Sequence, residues 1–254
     1  MKPGWEQDPT GRFSSRAEDY ARYRPSYPAE LFDFLFAEGI LAPGMPVADV
    51  GSGTGIFTKL LLDRDLEVYG VEPNAEMRRH AEKDLARQRK FHSVPATSEN
   101  TTLDDGSVGA ITAAQAFHWF EPVATGREFR RILKPGGFAV LVWNTRLLEE
   151  SKLPIEYEAL VAKYRSGYSE VEDRQSKPEQ FLAGGGKLAK FRNEQTLDFD
   201  GLVGRVCSAS YMPHRGEVRF PEMLADLQIL FQEHRSGGKV LLPMETECHY
   251  GQLD

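Results

Sequence analysis

The stretch VADVGSGTGIF, residues 47–57, decides the fold, because it passes from a strand pattern to a glycine-rich turn and then to a helix pattern. Gly51, Gly53 and Gly55 alternate with other residues directly after the apolar run. Glycine is needed where the chain turns sharply and where a ligand must approach the backbone without a Cβ atom in the way. The stretch therefore predicts a buried strand, a ligand-binding turn and a helix, in that order.

The surrounding sequence alternates short apolar segments with longer amphipathic ones. This pattern is typical of parallel strands joined by crossover helices. The predicted strands are 47–50, 68–72, 109–114 and 138–143, and the predicted helices between them include 56–63 and 75–89. A turn at 133–137 precedes the fourth of these strands. We therefore predict an α/β fold built on a doubly wound, mostly parallel sheet.

The segments on either side of this core are less regular, and we expect one domain over residues 1–254. Residues 10–40 carry aromatic and basic side chains and are predicted to form an N-terminal lid, with a helix over 29–38. Residues 145–187 are predicted to form a helical cap insert. The remaining predicted elements are a strand at 190–199, helices at 201–208 and 220–234, and a strand at 240–250. The two late strands are expected to pair antiparallel at the sheet edge.

Glu72 supplies the acidic partner of the glycine turn. It stands 21 residues beyond Gly51, at the end of the second predicted strand. A carboxylate at this position can accept hydrogen bonds from both hydroxyl groups of a ribose. The pair therefore predicts a cofactor that carries a nucleoside.

The spacing of the glycines limits which cofactor this can be. A dinucleotide fingerprint would place its third glycine at position 56, where the chain has Ile56. A phosphate-binding Walker loop would need a lysine followed by serine or threonine, and none closes this turn. The sequence therefore argues against both a dinucleotide and a nucleoside triphosphate at this turn, although a nicotinamide-dependent oxidoreductase stays open as an alternative.

With Asp49 two residues before Gly51, the pattern D-x-G-x-G-x-G resembles the first motif of the class I S-adenosylmethionine-dependent methyltransferases. Residues 72–74 with Met77 look like the second motif of that family, and residues 95–99 look like the third. The segment AAQAFHWF at 113–120 resembles the methyltransferase type 11 branch, as does the turn at 133–137. The resemblance covers residues from about 13 to 250, and this subgroup is similar to small-molecule methyltransferases of the trans-aconitate and ubiquinone-pathway kind.

The resemblance implies a Rossmann-like methyltransferase fold with seven strands and an antiparallel last strand, and S-adenosylmethionine as the cofactor. The glycine turn would receive the amino acid end of that cofactor, Glu72 its ribose, and the residues near Met77 its adenine. Thr97 departs from the aspartate often found at its position, so its contact with the adenine could be through the backbone alone. The predicted cofactor-binding residues are Tyr20, Asp49, Gly51, Ser52, Gly53, Glu72, Met77, Thr97, Ser98 and Gln115.

Candidate residues for the acceptor side follow from chemistry and position. Methyl transfer from a sulfonium is an in-line displacement whose leaving group needs no proton, so a general base is optional. If the acceptor must lose a proton, His118 is the predicted catalytic base, because it follows the strand predicted at 109–114, at the edge where open sheets bind ligands. Trp119, Tyr23 and Tyr211 are predicted to contact the substrate. The guanidinium of Arg24 in the predicted lid could meet a carboxylate.

The composition limits the partners. The chain has a formal net charge of −7, whereas nucleic acids and anionic membranes favour clustered basic residues. We predict a small-molecule substrate, no nucleic acid, no membrane, and a monomer or homodimer. Cys207 and Cys248 are too few for a disulfide framework, which predicts a reducing, cytoplasmic location. No cluster of potential ligands has metal-ligand spacing, so we predict no metal. The charged residues 1–12, broken by proline and glycine, predict no signal peptide.

Two alternatives to a methyltransferase remain at this point. One is a non-catalytic module that keeps the cofactor fold, because binding and chemistry are separable. The other is the nicotinamide-dependent oxidoreductase, against which Ile56 counts.

Overall fold

The computed structural model describes residues 17–166 and 177–253, in which seven strands form one sheet. The strands are β1 (Pro46–Val50), β2 (Glu67–Val71), β3 (Phe91–Val94), β4 (Val108–Ala114), β5 (Leu133–Arg146), β6 (Lys187–Leu197) and β7 (Val240–Gly251). They lie in the order β3-β2-β1-β4-β5-β7-β6. Strands β1 to β5 pair in parallel, whereas β7 pairs antiparallel with both β5 and β6. The predicted α/β fold with an antiparallel last strand is therefore confirmed.

Helices connect and cover the strands. They are α1 (Ala17–Tyr23), α2 (Ala29–Ala37), α3 (Ile56–Leu62), α4 (Ala75–Asp84), α5 (Pro122–Ile132), α6 (Lys152–Tyr164), α7 (Pro178–Phe181), α8 (Phe199–Cys207) and α9 (Phe220–His234), with 3₁₀ turns at Phe117–Trp119 and Ala183–Gly185. Among the described residues, no helix is long and apolar enough to cross a membrane.

The strand order positions a binding site. After β1 the chain builds outward through β2 and β3, and it then returns to place β4 on the other side of β1. Open α/β sheets bind ligands outside the carboxyl ends of their strands at such a reversal. The residues that follow β1, β2 and β4 therefore converge at one edge of the sheet.

Three local expectations need correction. Helix α4 ends at Asp84 instead of residue 89, because Leu85 turns into the core beside Gly55 and the polar residues after it offer no apolar face. Strand β3 was not anticipated; it is short and half-buried at the sheet edge, so its pattern is weak. The predicted turn at 133–137 lies within β5, where a register shift opposite Val108 absorbs the extra residues.

The predicted lid over residues 10–40 is narrower than expected. Residues 10–16 lie outside the described residues. Helix α2 is not a cover, because Leu31, Phe32 and Leu35 are fully buried in the main core with strand β1. Only α1 and the connection to α2 remain as a candidate lid.

The predicted cap insert at 145–187 is also only part of the observed cap, and residues 167–176 lie outside the described residues. Helix α6 packs with α8 and α9 around a second hydrophobic core that includes Tyr157, Tyr164 and Leu227. The helices predicted at 201–208 and 220–234 therefore belong to the cap. The last strand, β7, lies between β5 and β6, so β6 forms the sheet edge.

Candidate active site

The glycine turn connects β1 to α3 and lies against the end of β2. Gly51, Gly53 and Gly55 have φ angles of 69°, 58° and 84°, a region in which side chains with a Cβ atom are strained. The backbone N–H of Gly51 donates to the carbonyl oxygen of Val71 at 2.8 Å. The turn thus needs its glycines for conformation and has a defined position on the sheet.

Glu72 closes the turn from the neighbouring strand. Its side chain is 9% exposed, and its two oxygens accept hydrogen bonds from the backbone N–H groups of Gly53 at 3.0 Å and Asn74 at 2.8 Å. Burial raises the pKa of this carboxyl, and the two N–H groups oppose that rise. Asn74 in turn caps α4, because its Oδ1 accepts from the N–H groups of Glu76 and Met77 at 3.0 Å each. These hydrogen bonds hold the Glu72 carboxylate at the end of β2, beside the glycine turn.

Asp49 lies at the end of β1 and is 1% exposed. Its two oxygens accept hydrogen bonds from the hydroxyls of Thr58 at 2.6 Å and Thr112 at 2.8 Å. These bonds join β1, α3 and β4 beneath the glycine turn. Burial outweighs the two hydroxyl bonds and raises the pKa of Asp49 to about 6.

This pKa predicts a pH-dependent stability. Because the folded-state pKa is raised above its ordinary value, the folded chain gains stability below pH 6, and this gain is lost as pH rises through 6. Asp49→Asn should remove this dependence. The free energy of unfolding of the variant minus that of the natural chain should therefore be about 2 kcal/mol larger at pH 7.5 than at pH 4.5, which means that the variant is relatively more stable at the higher pH. Urea unfolding at both pH values measures the difference. The exposed Asp104→Asn is the control, and an equal difference at both pH values for Asp49→Asn would contradict the expectation.

A cavity of about 250 Å³, partly open to solvent, lies beside Glu72. Its lining comes from the segments that follow β1, β2, β3 and β4 and from α1. The lining residues are Tyr20, Gly51, Gly53, Glu72, Pro73, Met77, Thr97, Ser98, Glu99, Gln115, Ala116, Trp119 and Phe120. The fold thus brings together residues that are almost 100 positions apart in the chain.

A second, smaller cavity adjoins it on the other side of the glycine turn. It extends towards α8 and shares several lining residues with the first. The lining residues are Tyr20, Arg24, Pro25, Tyr27, Asp49, Gly51, Ser52, Gly53, Thr54, Ile56, Phe57, Ala114, Gln115, Asn144 and Arg205. Each of the ten residues predicted to bind the cofactor lines one of these cavities or both.

Gln115 lies between the two cavities in a strained conformation. Its φ angle is 55°, which is uncommon for a residue other than glycine and is frequent at functional sites. Its N–H donates to the carbonyl of Val142 at 2.8 Å, and its side-chain Nε2 donates to the carbonyl of Asn144 at 3.2 Å. These bonds hold the side chain where the cavities meet.

The predicted acceptor-side residues occupy different places. Trp119 lines the larger cavity. Tyr23 lines neither cavity, because its ring packs on the backbone of α8, where a Cβ atom at Gly204 would lie only 2.1 Å from it. Tyr211 also lies outside both linings, although it is close enough to raise the pKa of Arg205. The substrate role of these residues stays a prediction.

His118 is half-buried beside Trp119, with their ring centroids 5.1 Å apart, and it lines neither cavity. Burial and the nearby positive charge of Arg24 lower the pKa of His118 to about 4. The imidazole is therefore neutral at pH 7 and able to accept a proton, but its basicity is low. Its catalytic role stays a prediction.

Two residues of the smaller cavity were not anticipated. Asn144, at the end of β5, accepts through Oδ1 from Asn193 at 3.0 Å and donates through Nδ2 to the carbonyl of Ser26 at 3.2 Å. Arg205 is the one charged residue in the apolar run LVGRVC, residues 202–207. A charge inside an otherwise apolar helix was the signal that could have identified it.

A group of side chains that could hold a metal ion lies away from the two cavities. In the described ranges, one group of three potential ligands exists, formed by Glu156, Glu233 and His234. Its members contribute to neither cavity lining. His234 and Glu156 already form an ion pair at 2.6 Å.

The doubly wound sheet, the glycine turn after β1 and the buried acid after β2 define a protein that binds a nucleoside cofactor. Residues 48–141 match the family of methyltransferase domains. The chain is 37% identical over 201 residues to an uncharacterized methyltransferase of Mycobacterium tuberculosis. The aligned region covers 78% of this chain and 76% of the relative.

Two solved structures show the same fold. One, from Anaeromyxobacter dehalogenans and provisionally named a type II methyltransferase, has a TM-score of 0.66 and 21% identity over 91% of this chain and 98% of its own. The other, phosphoethanolamine N-methyltransferase 2 of Haemonchus contortus in complex with S-adenosyl-L-methionine, has a TM-score of 0.54 and 12% identity over 99% of this chain and 60% of its own.

The chain belongs to the class I S-adenosylmethionine-dependent methyltransferases, in the type 11 branch, and it is a methyl-transferring enzyme. This assignment favours methyl transfer over the nicotinamide-dependent alternative.

Proposed function

We propose that S-adenosylmethionine binds with its nucleoside in the larger cavity and its amino acid end at the glycine turn, where the two cavities adjoin, and that the methyl group passes to a small molecule on the Arg205 side of the smaller cavity. The observation that carries this proposal is the placement of Glu72, whose buried carboxylate faces the larger cavity from the end of β2. Its orientation leaves lone pairs available for two ribose hydroxyls, since each oxygen accepts one backbone N–H group.

The other residues around the cofactor divide by chemistry. Pro73, Met77, Thr97 and Ser98 surround the adenine end, where apolar contact and short polar groups suit a flat ring. Gly53, like its neighbours in the turn, receives the amino acid end. Tyr20 and Gln115 line both cavities and lie where the sulfonium and the acceptor would meet.

The residues around Glu72 and the glycine turn would hold S-adenosylmethionine, which would supply an electrophilic methyl group for in-line displacement, with a neutral thioether as the leaving group. The chain contributes orientation and the exclusion of water, which supply much of such a rate. Tyr20 and Arg24 cover the site from α1 and the residue that follows it. Where the acceptor carries a proton, the neutral imidazole of His118 is the proposed base, although its ring lines neither cavity as the site stands here.

We extend the proposal to the setting of the enzyme. A single domain spans the chain, the net charge of −7 disfavours a nucleic acid substrate, and a monomer or homodimer suffices for this site. Cys207 and Cys248 are buried thiols that form no disulfide, which suits the reducing cytoplasm.

The test is isothermal titration of the purified chain with S-adenosylmethionine, S-adenosylhomocysteine and NADH, followed by an acceptor screen that detects the methylated product. We expect saturable binding of the first two ligands and none of NADH. Binding of NADH alone would refute the proposal. Cofactor binding without turnover on any acceptor class would support the non-catalytic alternative instead.

A further inference from the structure

Arg205 presents a buried positive charge at the smaller cavity. Its side chain is 7% exposed and lies in α8 among apolar residues. In residues 17–166 and 177–253, it forms no ion pair with a carboxylate, and the ionisable neighbours that alter its pKa are two arginines and two tyrosines. Burial and Arg24 lower the pKa of Arg205 to about 10, which leaves it charged at neutral pH. Buried charges are stable in proteins when they are paired.

Arg24 adds a second guanidinium to the same cavity. Its Nη2 donates to the carbonyl of Ser208 at 3.3 Å, and its guanidinium carbon lies 4.7 Å from the ring centroid of Tyr20. Its Nε is buried and has no hydrogen-bond partner in the described parts of the chain. Two guanidiniums that repel each other, with no carboxylate partner among the described residues, form a site suited to an oxyanion.

The other charged group in the lining does not neutralise this pair. Asp49 also lines the cavity, but its two oxygens accept hydrogen bonds from the hydroxyls of Thr58 and Thr112, and neither arginine is among the groups that shift its pKa. The neighbouring Arg146 is already paired with Glu158. Arg24 and Arg205 therefore account for the positive charge that remains available.

The cofactor supplies only part of the missing negative charge. Its amino acid end carries one carboxylate, which at the glycine turn can meet Arg24, but its ammonium and sulfonium groups bring two positive charges. The filled cofactor site is thus still cationic beside Arg205. Since the described residues offer no second negative group here, the molecule that accepts the methyl group is the natural source of one.

We propose that the methyl acceptor is an anion and that Arg205 binds its carboxylate or phosphate group. This inference rests on the proposed function, because the acceptor occupies the smaller cavity only if the cofactor occupies the larger one. Arg205 then selects acceptors by charge, and the planar guanidinium favours a bidentate contact with either oxyanion.

The test uses the full chain saturated with S-adenosylhomocysteine and three probes: citrate, inorganic phosphate and uncharged glycerol. Isothermal titration should show saturable binding of citrate or phosphate and none of glycerol. Citrate binding alone indicates a carboxylate acceptor, and phosphate binding alone indicates a phosphorylated one. In Arg205→Gln the affinity for the anion should fall by about tenfold or more.

Two further variants make the comparison specific. Arg205→Lys keeps the charge and should retain part of the affinity, whereas Arg215→Gln removes an exposed arginine and should change nothing. A cooperative thermal unfolding transition like that of the natural chain, together with an S-adenosylhomocysteine affinity within about threefold of the natural value, confirms that each variant is folded.

Three results would overturn the inference while leaving the proposed function intact. They are no anion binding by the natural chain, equal anion binding by Arg205→Gln, and a loss of S-adenosylhomocysteine affinity in Arg205→Gln as large as the loss of anion affinity. The last would make Arg205 a ligand of the cofactor. Failure of the natural chain to bind S-adenosylhomocysteine would instead refute the proposed function itself.

Discussion

Replacing Glu72 with alanine should weaken S-adenosylmethionine binding about 100-fold, the largest loss that we expect from one side chain. Hydrogen bonds to a charged group contribute about 1.5–3 kcal/mol each, and two lost bonds to the ribose correspond to roughly 3 kcal/mol or more. The change also removes the acceptors for the N–H groups of Gly53 and Asn74, so the turn loses part of its support. Isothermal titration with the cofactor measures the loss.

A nearby glutamate provides the matched control. Glu76 lies one turn away on α4, and its exposed side chain pairs only with Arg79 at 2.8 Å. Glu76→Ala should bind the cofactor within about twofold of the natural chain, because the carboxylate is remote from the proposed ribose contacts. Glu72→Gln, which keeps the size but replaces one acceptor oxygen with a donor, should fall between the two. Full affinity in Glu72→Ala would remove the basis of the proposed cofactor site.

Adding one methyl group to the glycine turn should lower mainly the stability at its first glycine and mainly the cofactor affinity at its second. In Gly51→Ala the new Cβ would lie 2.5 Å from the Cβ of Ala116 and 3.3 Å from the ring of Phe120, in a backbone with φ of 69°. Overpacking and strain together should lower the free energy of unfolding by about 2–4 kcal/mol. Chemical denaturation at neutral pH measures this loss.

Gly53→Ala separates strain from packing. Its φ of 58° makes alanine unfavourable by about 1 kcal/mol, but no atom of another described residue beyond its chain neighbours lies within 4 Å of the added Cβ. The methyl group enters open space at a residue that lines both cavities, so it should reduce cofactor affinity more than stability. Equal stability losses in the two variants, with unchanged cofactor binding in Gly53→Ala, would show that this space is not the cofactor site.

Some features of this protein follow from local pattern, and these are the features that sequence reasoning predicted. The glycine turn is visible because positive φ angles demand glycine, whatever the rest of the chain does. The acid at position 72 is visible because it ends an apolar strand at a defined distance from that turn. The strands β1, β2 and β4 are buried apolar runs, so their positions were predicted within one or two residues.

Other features depend on contacts between distant segments and have weak local signals. Helix α1 is held by the ring of Tyr23 on the backbone of Gly204 and by the side chain of Gln195, which donates to the carbonyl of Tyr23 at 2.8 Å. The cap has a separate core because α6, α8 and α9 each offer one apolar face that only the others can cover. No periodicity within a single segment shows which faces will meet.

The sequence by itself determined the central strands, the turn and the acidic partner, because each rests on backbone geometry or apolar burial over a few residues. The class of enzyme followed from the resemblance of these motifs to a known family. The tertiary structure alone decided which side chains share the second cavity. Arg24 and Arg205 are 181 positions apart, and only the packing of α1 against α8 brings their charges together. Electrostatic interaction depends on distance in space, which the order of residues does not record.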